Sequence, residues 1–111
     1  MPRLRDLDQV FQALADPTRR KVVERLGRGP ASTSELARPF DMALPSFLQH
    51  LAVLERSRLV RSRKEGRVRT YRLDPRRLHV AEHWLEAQRL RWERRLDQLD
   101  RYLDEIKEED Q

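Results

Sequence analysis

The sequence predicts a mainly helical fold carrying one β-hairpin, in the order α-α-α-α-β-β-α. Two observations predict it. Apolar residues recur at helical spacing from Leu7 to Leu54 and again from Leu78 onward. Between these regions, Leu59–Leu73 reads as two short strands around Glu65-Gly66. A chain of 111 residues is expected to form one domain, residues 1–111, with a modest core.

Leu7, Val10, Phe11 and Leu14 give helical spacing for a first helix over roughly Leu7 to Ala15. That stripe is too short to make a core alone, so it must pack on something else. Asp16-Pro17-Thr18 restarts the chain, with Asp16 suited to an N-cap and Pro17 to the first helical position. Val22, Val23 and Leu26 mark a second helix ending near Gly27, and Gly27-Arg28-Gly29-Pro30 is a stop and a turn. Ser32-Thr33-Ser34-Glu35 matches a capping box opening a short third helix of about two turns, ended near Pro39.

Asp41-Met42 then leads into a fourth helix, running to about Ser57, with a proline in its first turn. Phe47, Leu51 and Leu54 share one face of it. Ser46, Gln49 and His50 lie off that face, with Leu44 and Leu48 beside them. A short helix, a turn and a helix with a polar front make a helix-turn-helix arrangement over about 32–57.

Leu59 to Lys64 and Arg67 to Leu73 then read as a hairpin, with Glu65-Gly66 as its turn. Directly after a helix-turn-helix, a hairpin over about 59–73 forms a wing. Arg61, Arg63, Lys64, Arg67 and Arg69 crowd towards its tip. Blunting strand edges needs some charge, but not this much of one sign, so these residues are expected to touch a polyanion. Asp74-Pro75 closes the hairpin, and a long helix follows to about Lys107, its dimerisation part over about 78–107. Its stripe runs Leu78, Ala81, Leu85, then Trp92, Leu96, Leu99, Leu103 and Ile106, heptad-like from Trp92 on. A winged module of 75 residues cannot cover all of a helix that long. The leftover stripe, together with the first helix, predicts a homodimer, with a monomer whose helix folds back as the alternative.

The charge distribution agrees with a polyanion face. Lys and Arg number 24 against 19 acids, for a net +5, and only Lys21, Lys64 and Lys107 are lysines. Arg grips phosphates and base edges with a rigid two-pronged fork. Residues 57–72 hold seven basic residues and one acid, whereas residues 97–111 hold two basic residues and seven acids. A basic segment and an acidic tail in one small domain suggest a directed surface for nucleic acid.

Several function classes are not expected. The chain has no cysteine, which removes disulfides, thiolate metal sites and thiol redox chemistry within it. It has no run of about 18 apolar residues and no apolar leader, so neither a membrane span nor a secretory signal is read, and a cytoplasmic location is the default. No nucleophile-plus-base constellation and no glycine-rich phosphate loop points to an enzyme, with only three glycines in all. His79 and His83 share a helix face at i, i+4 with Glu82 and Glu86 nearby, but two histidines opening a charged helix read as surface residues, so no metal site or cofactor is assigned.

Ala13-Leu14-Ala15-Asp16-Pro17-Thr18-Arg19-Arg20, Ser34-Glu35-Leu36-Ala37, Gln49-His50-Leu51-Ala52-Val53-Leu54-Glu55 and Leu59-Val60 with the Arg-rich hairpin occur in that order. In these blocks, over about residues 7–105, the chain resembles the arsenic-repressor (ArsR/SmtB) family of transcriptional regulators. The resemblance implies a winged helix-turn-helix homodimer, joined through its first and last helices, that represses by occupying operator DNA and is released by an effector. It places the groove contacts at Leu44, Pro45, Leu48 and Gln49. Gln49 suits the N6/N7 edge of adenine, while Leu44 and Leu48 suit thymine methyls or simple packing. The family's cysteine sensor site would need Cys near Leu36–Phe40, where this chain has none.

The sequence therefore predicts a sequence-specific DNA-binding regulator, most simply a repressor on a palindromic operator. Its DNA-binding set is Leu44, Pro45, Ser46, Leu48, Gln49, His50, Arg61, Arg63, Lys64, Arg67 and Arg69. Its dimer set is Leu7, Val10, Phe11, Leu14, Leu85, Trp92, Leu96, Leu99 and Leu103. A non-specific architectural DNA binder, or a protein-interaction module built on the long helix, are the competing readings. Neither the operator nor any effector is legible.

Overall fold

The computed structural model describes residues 4–109, so Met1–Arg3, Asp110 and the terminal Gln111 of the acidic tail lie outside the described residues. The helices are α1 (Leu4–Leu14), α2 (Pro17–Leu26), α3 (Thr33–Ala37), α4 (Leu44–Arg56) and α5 (Pro75–Glu109). The strands are β1 (Ala31–Ser32), β2 (Val60–Glu65) and β3 (Val68–Leu73). This is a winged helix-turn-helix, the α-α-α-α-β-β-α order expected, with one element added. The two-residue β1 pairs antiparallel with β3, Ala31 opposite Tyr71 and Ser32 opposite Thr70, giving a three-stranded sheet in the order β1-β3-β2. A strand of two residues has no periodicity to read, and only the arrival of β3 beside it creates it.

Local chemistry sets the boundaries. Asp16 caps α2 by accepting the Arg19 backbone N–H at 3.1 Å, and Pro17 occupies its first turn. The capping box forms in full, with Ser32 and Glu35 each satisfying the other's backbone N–H. α3 is only five residues long, shorter than the two turns expected. α1 begins at Leu4, one turn earlier than expected, Leu4 standing three residues before Leu7 at the same helical spacing. The hairpin turn is Gly66-Arg67, one residue later than expected, with Glu65 still paired opposite Val68. Gly66 has φ +63°, a region open to glycine at little cost.

The described chain comprises two compact units, one ending at Ala81 and one beginning at Glu82. The first holds the core. Phe47, Leu51 and Leu54 of α4 are buried together with Val22 and Leu26 of α2, Leu36 of α3 and Val60 and Tyr71 of the sheet. Burying one such side chain contributes about 1.5–3 kcal/mol, so the back face of α4 fixes its position against the other helices. Phe40 leans on Phe47 with ring centroids 5.3 Å apart. No buried side-chain N or O among the described residues lacks a hydrogen-bond partner.

Part of the expected dimer set lies in or against this core. Val10 is 0 % exposed and Leu7 is buried within the same chain, while Phe11 and Leu14 pack partly against that core. Leu7 and Val10 thus pack inside the protomer, while Phe11 and Leu14 keep part of their surface on α1. The second unit is α5 from Glu82 on. Leu85, Leu96, Leu99 and Leu103 are exposed there, and Trp92 is 71 % exposed. Arg89 bridges Glu86 and Glu93 along the helix.

Candidate nucleic-acid interface

The candidate interface is built on α4. With Phe47, Leu51 and Leu54 turned inward, the helical repeat turns Pro45, Gln49, Ala52 and Arg56 outward, with Leu44 and Leu48 beside them. Leu44, Pro45, Ser46, Leu48 and Gln49 are all exposed. No residue from Met42 to Leu54 carries a formal charge unless His50 is protonated. Ala43 offers no side-chain cap, so the opening turn of α4 keeps its backbone donors uncapped by side chains.

His50 sits apart from this front. It faces α2, where the Arg19 guanidinium lies 3.2 Å from its Nδ1 and Asp16 Oδ2 lies 3.7 Å from the same nitrogen. Arginine can only donate, so in that contact Nδ1 is the acceptor. The same Arg19 donates from Nε to Ala13 O at 2.8 Å and from Nη2 to Gln12 O at 3.0 Å, and Arg20 donates to Leu14 O at 2.8 Å. Two adjacent arginines therefore satisfy the orphan carbonyls ending α1, and one of them also holds α4. The Asp-Pro-Thr-Arg-Arg run caps one helix and closes another. Asp16 was legible only as an N-cap, and Arg19 escaped the sequence reading as an interface-positioning residue because its side-chain partners are six, seven and 31 positions away.

Strand register divides the wing arginines between two faces. Val60, Ser62 and Lys64 pair with Leu73, Tyr71 and Arg69, while Arg61, Arg63 and Glu65 pair with Arg72, Thr70 and Val68. Opposed residues share a face and alternate along the strand. Buried Val60 and Tyr71 mark the first set as the core face, so Lys64 and Arg69 continue that face to the tip. Arg61, Arg63 and Arg72 point to the other side. Arg69 is steadied by Ser62 Oγ at 2.9 Å, and Arg63 reaches Glu65 at 3.5 Å with both ends well exposed. Arg67 and Lys64 are exposed at the tip.

Arg61 belongs to a different structure, the wing root. Its Nε donates to Asp74 Oδ2 at 2.7 Å. Arg76 donates to both oxygens of the same carboxylate, at 3.0 and 2.7 Å, and its backbone N–H adds a third contact at 3.2 Å. Asp74 N–H in turn donates to Leu59 O at 2.9 Å. The Arg76 hydrogen bonds, with help from Arg61, overcome burial and hold the Asp74 carboxyl well below the usual carboxylate range. The cluster joins β2, the end of β3 and the start of α5 at one buried charge.

His79 and His83 occupy one exposed face at the start of α5, and among the described residues no three His, Cys, Asp or Glu side chains come together to hold a metal ion. No helix among the described residues is long and apolar enough to cross a membrane.

Comparison with known proteins gives a consistent result. A helix-turn-helix domain family model matches residues 14–63, from the end of α1 into the wing. The transcriptional regulator Rv2034 of Mycobacterium tuberculosis is 49 % identical over 75 residues, which cover 68 % of this chain and 70 % of that protein. The transcriptional repressor SdpR of Bacillus subtilis is 29 % identical over 79 residues, 71 % of this chain and 88 % of the repressor. A crystal structure of an ArsR family transcriptional regulator, RHA00566, superposes with a TM-score of 0.80 at 52 % identity, covering 83 % of this chain and 95 % of that one.

Proposed function

The chain belongs to the ArsR family of winged helix-turn-helix transcriptional regulators, and from that premise we propose that it represses transcription as a homodimer seated on a palindromic operator. The observation that carries the reading is the pairing of two surfaces: an α4 front uncharged from Leu44 to Ala52, ahead of Arg56, and an Arg-rich wing beside it. The first suits the floor of the major groove, the second the phosphates at its edge. Leu44, Pro45, Ser46, Leu48 and Gln49 enter the groove, and Arg63, Lys64, Arg67 and Arg69 meet the backbone or the neighbouring minor groove. Arg61 and His50 serve this interface from behind: Arg61 through Asp74 at the wing root, His50 through Arg19 against α2.

The dimer rests on Leu85, Trp92, Leu96, Leu99 and Leu103. These residues leave an apolar stripe exposed on a helix whose other positions are dense with charge. Phe11 and Leu14 remain partly available on α1. Two modules related by a two-fold read half-sites one helical turn, about 34–36 Å, or a multiple apart.

Footprinting of the full chain on genomic fragments tests this reading. A discrete, two-fold symmetric protected site is expected. Uniform coating of all fragments, or no protection at low salt, overturns it.

A further inference from the structure

Leu44 and Leu48 are 54 % and 41 % exposed, on the same helix whose Phe47 is 1 % exposed. They are four positions apart, so they stand one above the other on one flank of α4. The core packs without them: Phe40 and Met42 lie against it from the turn before α4, and neither leucine does. Two branched apolar side chains stay in solvent at the leading end of the helix, in a protein in which 39 % of residues are charged.

Resting on the DNA-binding reading above, we propose that Leu44 and Leu48 read 5-methyl groups on pyrimidines in the major groove, which makes thymine at defined half-site positions a specificity determinant. The thymine C5-methyl is the one apolar feature a base pair shows in that groove, and apolar side chains recognise it by contact. Spacing fits. Residues four apart are separated by about 6 Å along a helix at 1.5 Å per residue, and successive bases on one strand by about 3.4 Å. The two leucines therefore reach methyls one to two steps apart. Gln49, next to Leu48, suits adenine N6 and N7, so the same face selects A·T pairs by two unlike means. Charge favours a polyanion as the occupant beside this flank. From Met42 to Leu54 the helix has no carboxylate, the wing beside it carries Arg63, Lys64, Arg67 and Arg69, and a DNA backbone satisfies both conditions.

The test replaces each thymine of the footprinted half-site by deoxyuridine, which deletes the methyl and leaves every hydrogen-bonding edge in place. Affinity of the full chain is measured for wild type, Leu44→Ala and Leu48→Ala, with folding checked by circular dichroism. Wild type is expected to lose about fourfold per methyl that a leucine covers. The loss at a given thymine should vanish in one alanine variant and persist in the other. Restoring a methyl as 5-methylcytosine opposite guanine at that position should recover part of the contact but not the Gln49 contribution. A discrete footprint with no deoxyuridine effect at any position overturns the proposal while leaving the repressor reading intact. Deoxyuridine losses that are equal in all three proteins also overturn it, since they report DNA shape alone. Self-association of wild type that the alanine variants abolish assigns the leucines to a protein contact and overturns it too. Absence of any footprint removes the DNA reading and this inference together.

Discussion

Gln49 and Asp74 show how differently single residues act here. Gln49 stands on the exposed front of α4 with no structural duty, so its amide is free for a base edge. Gln49→Ala should cost on the order of 1–3 kcal/mol at one A·T pair and little on random DNA. Competition binding with single-base variants of the operator measures this, and equal losses on operator and random DNA would contradict it. Asp74 is the opposite case, buried and shared by two arginines. Its carboxyl titrates lower in the folded state than in the unfolded one, chiefly through Arg76. Its stabilisation is therefore complete above about pH 4, the ordinary aspartate value, and drains away as the pH falls towards the folded value. Asp74→Asn should lower Tm at pH 7 and narrow the gap to wild type as the pH falls below about 4. Parallel melting curves over pH 2.5–7 check this, and a constant gap would show that Asp74 acts by shape alone.

At the scale of elements, two joints stand out. α4 ends at Arg56, is capped by Ser57, and the chain reverses through Arg58, the only non-glycine at positive φ among the described residues, with φ 64°. A left-handed arginine costs roughly 1–2 kcal/mol that glycine avoids. Arg58→Gly is expected to stabilise the fold by about 1 kcal/mol, read as a rise in denaturation midpoint with unchanged m. The wing is the second element. A two-stranded hairpin is marginal alone; here β1 extends it and the Asp74 cluster fixes its root, so its tip residues are displayed rather than loose. Arg67→Ala should weaken binding to all sequences alike and reduce the slope of log K against log salt by about 1. A sequence-dependent loss in the salt titration would move Arg67 from backbone contact to base readout.

For the whole molecule, the question is what covers the stripe of α5. Leu96 and Leu99 are exposed at the centre of a heptad-like run. If two copies bury them against each other, Leu96→Glu or Leu99→Glu places a charge in that seam. The chain should then sediment as a monomer, and operator affinity should fall far more than affinity for an isolated half-site. A dimer that persists in both variants would place the contact elsewhere, for instance on Phe11 and Leu14.

The sequence determined more here than a pattern of helices. Caps and periodicities are local, so Asp16-Pro17, Ser32 with Glu35, and the Phe47, Leu51, Leu54 stripe could be read directly, and they set the winged helix-turn-helix order. The basic wing and the exposed α5 stripe were legible for the same reason. Tertiary structure alone decided three things. It created β1, because pairing with β3 belongs to two distant segments. It turned Leu7 and Val10 inward, because a helix face shows that it must be buried but not against what. And it divided the arginines, since a charge count treats Arg61 and Arg67 alike while the buried carboxylate of Asp74 claims one and leaves the other at the tip. Which arginine meets a phosphate depends on where the nearest carboxylate lies in space, and that distance exists only after folding.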